Sequence, residues 1–170
     1  MNNYIKILIL IILPFTVSSA YSQLNKYNFE EYKFDSQESL EGAKEDVLSV
    51  ANLLLKQPIT EKEELRYEAG FFLNDWMKNI DNYSFGTGNL KNLFDEKIEL
   101  MIISMASQIK YCLENKKNNS YEIESRLGIW KIITEYIENP KNKVKLTKKL
   151  KRLIKAKNEN KLAEFLDANE

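Results

Sequence analysis

Apolar side chains recur along this chain at steps of three and four, with no sustained alternation at steps of two. That is the period of a helix with one buried face, so the pattern predicts one helix after another. The first is expected from Ser36 to Gln57. Ser36 is its N-cap, and Glu38, Glu41 and Glu45 lie near the positive end of its dipole. Leu40, Ala43, Val47, Val50, Ala51 and Leu54 share its apolar face, and Pro58 stops it. Thr60 and Glu63 match a capping box at the head of the second helix, whose stripe is Leu65, Ala69, Phe72, Leu73, Trp76, Met77 and Ile80. Only Pro58 and Ile59 part these two helices, so they are expected to form an antiparallel hairpin.

The third helix is expected from Leu90 to Lys116, with Phe94, Ile98, Met101, Met105, Ile109, Cys112 and Leu113 inward. Its middle, LMIISMA (100–106), is apolar almost all round, which places it at the centre of a bundle. The fourth is capped by Asn119 or Ser120, turns Ile123, Leu127, Trp130, Ile133 and Ile137 inward, and ends at Pro140. A fifth, over 143–157, carries Leu146, Leu150, Leu153 and Ile154. A short sixth buries Leu162, Phe165 and Leu166. The expected class is all-α: five to six amphipathic helices as sequential antiparallel αα-hairpins, in a bundle or short superhelix. One domain spans 36–170, with basic C-terminal helices over 143–168, after an extended lead-in at 23–35. Sliding the chain by 60 residues lays Arg66 on Arg126, Leu73 on Ile133 and Trp76 on Tyr136, a pairing that shared amphipathic design also produces.

The first 22 residues stand apart from this pattern. Lys6 precedes the unbroken apolar run of residues 7–17, and small residues follow, in the order of a secretory signal peptide. The run is 11 residues, against roughly 20 for a membrane-spanning helix. Cleavage is expected after Ala20 or Ser22. No cysteine lies near either cut, so the exported product is expected to be soluble, periplasmic or secreted, and not a lipoprotein. About 148 residues then remain, enough for one domain with a core of its own. Cys112 is the single cysteine, so no internal disulfide exists, and its apolar neighbours make it a packing residue. Histidine is absent, which removes the commonest general base and the commonest transition-metal ligand. The sequence therefore implies no cofactor and no metal.

Charge is balanced overall and uneven along the chain. Residues 23–140 carry 14 basic and 21 acidic side chains, whereas 141–170 carry 10 basic and 4 acidic. In the basic stretch 141–157, Lys145, Lys148, Lys149, Lys151, Arg152 and Lys155 surround the leucine stripe. Such a helix lies on an anionic membrane, or docks by its stripe on the acidic body with its lysines in water. Docking is favoured, because charge runs on helices are usually solvated. Export argues against nucleic acid as a partner.

Chemistry is sparse elsewhere. The loop DNYSFGTGN (81–89) invites a phosphate-loop reading, but it follows a helix and lacks the later glycine and the Lys-Ser/Thr pair. Two readings stand. Trp76, Tyr83 and Phe85 form a shallow aromatic cleft with Gly86 and Gly88 letting the loop fold over it, or the aromatics simply pack a corner where one glycine takes positive φ. The second is favoured. Glu68, Asp75, Glu124 and Glu135 are the carboxylates nearest the expected core, and a hydrolase of envelope glycans would need two of them facing across a cleft. Arg66 and Arg126 are their expected ion-pair partners.

With the helices laid out, FFLNDWM leading into DNYSF, the terminal KLKRLIKAKNENKLAEFL and the signal peptide together resemble small exported all-helical proteins of the Bacteroidota type. The resemblance covers most of the mature chain and implies fold and compartment, with no activity attached. The functional expectation is a non-enzymatic interaction module of the cell envelope with a protein or small-molecule partner. The carboxylate hydrolase and the peripheral membrane protein are the alternatives.

Overall fold

A computed structural model of the chain describes residues 23–59, 63–86, 92–95 and 97–169. The expected signal peptide, the Thr60 cap, Gly88 and the expected helix start at Leu90 lie outside the described residues. The helices are α1 (Gln37–Gly42), α2 (Lys44–Lys56), α3 (Glu63–Asn79), α4 (Ile98–Glu114), α5 (Ile123–Glu138), α6 (Lys148–Asn158) and α7 (Leu162–Asp167). The class is all-α. An isolated bridge between Ser84 and Asn119 is the one β contact among the described residues.

Several boundaries differ from the expected ones, each for a local reason. Ser36 caps as predicted, and Ser39 completes a capping box with it. The first helix then breaks at Ala43 into α1 and α2. Gly42 weakens the helix there, and the last carbonyls of α1 are left to other donors. Leu40 O takes the Trp76 indole N–H at 2.8 Å. The lead-in is not extended throughout: Phe29–Glu31 form a 3-10 turn, and Phe29, Tyr32 and Phe34 pack their rings around Phe72. α4 begins at Ile98, and Phe94 belongs to a separate 3-10 turn stacked on Trp130. α5 starts after Glu122, because Asn119 turns its side chain to the Tyr121 N–H and Ser120 is engaged elsewhere. Residues 143–147 are not helical; Thr147 caps α6 by accepting from Leu150 N.

Two apolar cores result. One joins α1, α2 and α3 with Ile102, Ala106 and Ile109 of α4. The other joins the Phe94 turn and Leu100 of α4 with α5, α6 and α7. α4 thus sits between them, as its apolar centre predicts. Two antiparallel hairpins frame it. In α2–α3, Leu54 meets Arg66, and Leu40 of the preceding α1 meets Trp76. In α4–α5, Tyr111 covers Gly128 so closely that a Cβ there would lie 1.9 Å from the ring. α3 and α4 lie side by side in the same direction. Tyr67 bonds Glu99, and Gly70 faces Ile102.

The 60-residue offset holds for helix boundaries, since α3 shifted by 60 falls on α5. It fails for chemistry. Arg66 is buried and donates to Leu54 O at 3.3 Å, whereas Arg126 is half-buried and pairs with the exposed Asp167.

Candidate functional site

The corner after α3 is assembled from three chain segments. Trp76 is fully buried, fixed by its bond to α1. Tyr83 and Phe85 stack on each other, 5.5 Å apart and 4° from parallel, and each tilts against the indole at 5.9 Å. Lys44 Nζ lies 5.0 Å over the Tyr83 ring. Backbone bonds tie the loop to the α4–α5 turn, from Ser84 N to Asn118 O and from Ser120 N to Ser84 O. The buried Gln108 of α4 accepts from Gly86 N at 2.8 Å, and Ser120 Oγ accepts from the same group at 2.9 Å. A Cβ at Gly86 would lie 1.8 Å from the Tyr121 hydroxyl, so a side chain there would displace that exposed ring; the φ of Gly86 lies outside the positive range, and Gly88, the other glycine expected to take one, lies outside the described residues. The three aromatics therefore fill the corner instead of ringing a cleft.

The hollow lies next to them. Phe85 and Gly86 close one end of a groove that runs between α3 and α4. It consists of two adjoining hollows, of about 340 and 320 Å3, that share Asn74, Met101 and Met105. Met77 and Gln108 line the end near Phe85. Tyr67, Gly70, Phe71 and Ile98 line the other, which is almost wholly apolar. Phe71 is 71% exposed, Ile98 58% and Met101 44%. Ile98 and Met101 were expected to face inward and do not. α3 lies against α4 on one side only, and the bare Gly70 lets the two backbones close at their base while the side chains beyond it splay. Phe71 falls outside the α3 stripe altogether, and that first phenylalanine of FFLNDWM was the signal in the sequence for an apolar face turned to water.

Electrostatics divide the surface. Glu64, Glu68 and Asp75 fall on one stripe of α3 with Phe71, all exposed, and none pairs with a described lysine or arginine. They form an acidic ridge beside the groove, with Lys78 at its far end. Glu135 is exposed on α5, and Glu124 is exposed and held by Lys117 at 2.6 Å. The four carboxylates weighed for catalysis thus stand on open helix faces, and none lines the groove. Arg66 and Arg126 are not their partners, as shown above.

On α6, Leu150 and Leu153 are buried against α5, so the helix docks by its stripe. Lys148, Lys149, Lys151, Arg152 and Lys155 are exposed, as is Lys145 in the preceding extended segment. Leu146, expected in the stripe, is exposed because the helix starts beyond it. Lys149 reaches Asp95 at 2.7 Å and Asn92 O at 3.0 Å, and Lys157 pairs with Glu138. Cys112 is buried, and burial pushes its thiol up to about 11. Among the described residues no helix is long and apolar enough to cross a membrane.

Comparison with protein-family models, with curated proteins and with solved structures returns no match for this chain. The reading of function rests on the geometry above.

Proposed function

We propose that the chain is a non-enzymatic binding module of the cell envelope that takes an amphipathic helix of a partner protein into the α3/α4 groove. One observation carries this reading: a continuous apolar groove, walled by two helices, whose Phe71, Ile98 and Met101 are left in water. From Ile98 to Gln108 the groove wall is eleven residues of helix, about 15 Å or nearly three turns. That length matches the anchors at i, i+3, i+4 and i+7 by which an amphipathic helix occupies a groove. Methionines at the centre adapt to the shape of the guest. The acidic ridge of Glu64, Glu68 and Asp75 favours a guest whose flanks are basic. The signal peptide read from the sequence supports the compartment, and the lack of histidine supports a role without catalysis.

The test is fluorescence anisotropy with a labelled three-turn leucine/lysine amphipathic peptide and its leucine/glutamate counterpart. The lysine peptide is expected to bind saturably and more tightly than the glutamate one. Met101→Glu is expected to weaken it by about tenfold or more, since losing one buried apolar anchor is worth roughly 1.5–3 kcal/mol. Met101 is exposed, so the variant folds. Equal binding of both peptides, or indifference to Met101→Glu, refutes the reading.

A further inference from the structure

α6 carries a second, separate surface. Its apolar stripe is buried, so contact with a membrane would fall to its charged outer face. What faces outward is Lys148, Lys151, Arg152 and Lys155, at i, i+3, i+4 and i+7 on the side opposite Leu150 and Leu153. Among the described residues Lys148, Lys151 and Arg152 make no ion pair, and Lys155 has only a loose one with Glu159 at 3.7 Å. Some lysines elsewhere are matched, Lys44 to Glu41, Lys110 to Glu114 and Lys117 to Glu124, and others, such as Lys26 and Lys131, have no ion pair among the described residues; what sets α6 apart is that its cations share one helix face.

The ridge works against its own helix. Four like-charge neighbours at i,i+3 or i,i+4 (148–151, 148–152, 151–155, 152–155) repel one another. Lys148 also sits in the first turn, at the positive end of the dipole. No acidic residue lies between 141 and 158 to relieve this. Folding gains nothing from such an arrangement, whereas an anionic surface would.

We propose that this ridge docks the protein electrostatically on an anionic phospholipid bilayer. The ridge is the convex outer side of a helix, which a plane touches along its length and which offers a flexible polyanion no walls. Leu146, exposed two residues before Lys148, supplies an apolar tip at the same end. Beside the ridge, Arg152 lines a polar recess of about 250 Å3 with Asn92, Asn169 and the Asp95-bound Lys149, large enough for one phosphate headgroup. This inference is independent of the α3/α4 groove.

Vesicle co-sedimentation tests it, using phosphatidylglycerol-containing vesicles, pure phosphatidylcholine vesicles, and dextran sulfate as soluble polyanion. Binding is expected to the anionic vesicles alone and to fall with salt. Each ridge cation removed is expected to weaken partition about fivefold, so Lys148→Gln/Lys151→Gln loses about 25-fold. Lys26→Gln/Lys56→Gln removes the same charge elsewhere and is expected to leave binding close to wild type. The ridge variant is also expected to melt at the same or a higher temperature, which separates lost binding from lost fold. Absence of vesicle binding at low salt, equal weakening by both double variants, or ridge-dependent binding of dextran sulfate without vesicle binding each overturns the proposal.

Discussion

Arg66 and Tyr136 meet where α2 ends, and between them they settle carbonyls that the helix leaves open. Arg66 Nη1 donates to Leu54 O, and Tyr136 donates to Gln57 O at 2.6 Å. A cation at a helix C-terminus is favoured by the dipole, which helps a guanidinium that burial pushes below its ordinary pKa. Tyr136 is pushed up to about 12, by burial and against the lowering effect of Arg66, and the Cys112 thiol to about 11. Both groups therefore hold their protons more tightly folded than unfolded. Their contribution is complete below about pH 8, where the unfolded thiol begins to ionise, and is lost as pH rises through the folded values. The thermal midpoint is expected to hold from neutral to about pH 8 and to fall from there toward 11, with Cys112 inert to thiol reagents until the protein unfolds. A flat or rising midpoint contradicts these environments. Cys112 was legible from its apolar neighbours. Arg66 was not, because nothing local marks an arginine whose partners are backbone carbonyls twelve residues back.

At the scale of elements, stripes with steps of three and four located α2 to α6, because burying one face is what those helices are for. The misreadings share another cause, since stripe residues do not reveal where a helix begins or stops. Gly42 splits the first helix, Phe94 is apolar yet belongs to a separate turn, and Leu146 lies outside α6 because Thr147 caps it. Gly128 shows packing overriding propensity. In an isolated helix, alanine there would be favoured by about 1 kcal/mol. Within the α4–α5 hairpin its Cβ would strike the Tyr111 ring at 1.9 to 2.6 Å. Gly128→Ala is therefore expected to lower the stability read by urea unfolding by about 1–3 kcal/mol, the usual loss for an overpacked contact. A gain would mean that the hairpin is looser than described.

The whole molecule separates its charges as it separates its cores. Acidic side chains without partners gather on α3 beside the groove, and basic ones on the far side of α6 from its buried stripe. The composition shift at residue 141 announced this division. The groove was hidden, because Ile98 and Met101 continue the α4 stripe and only the placement of α3 decides whether they meet a neighbour. Trp76, Tyr83 and Phe85 stood out in the sequence, yet they plug the end of the groove and do not form it. The most direct measurement is a methyl-resolved NMR titration of the folded chain with the leucine/lysine peptide. The groove predicts saturable shifts at the Met101 and Met105 methyls while Leu150 and Leu153 stay still. Shifts confined to α6, or no shift at either methionine, would contradict it.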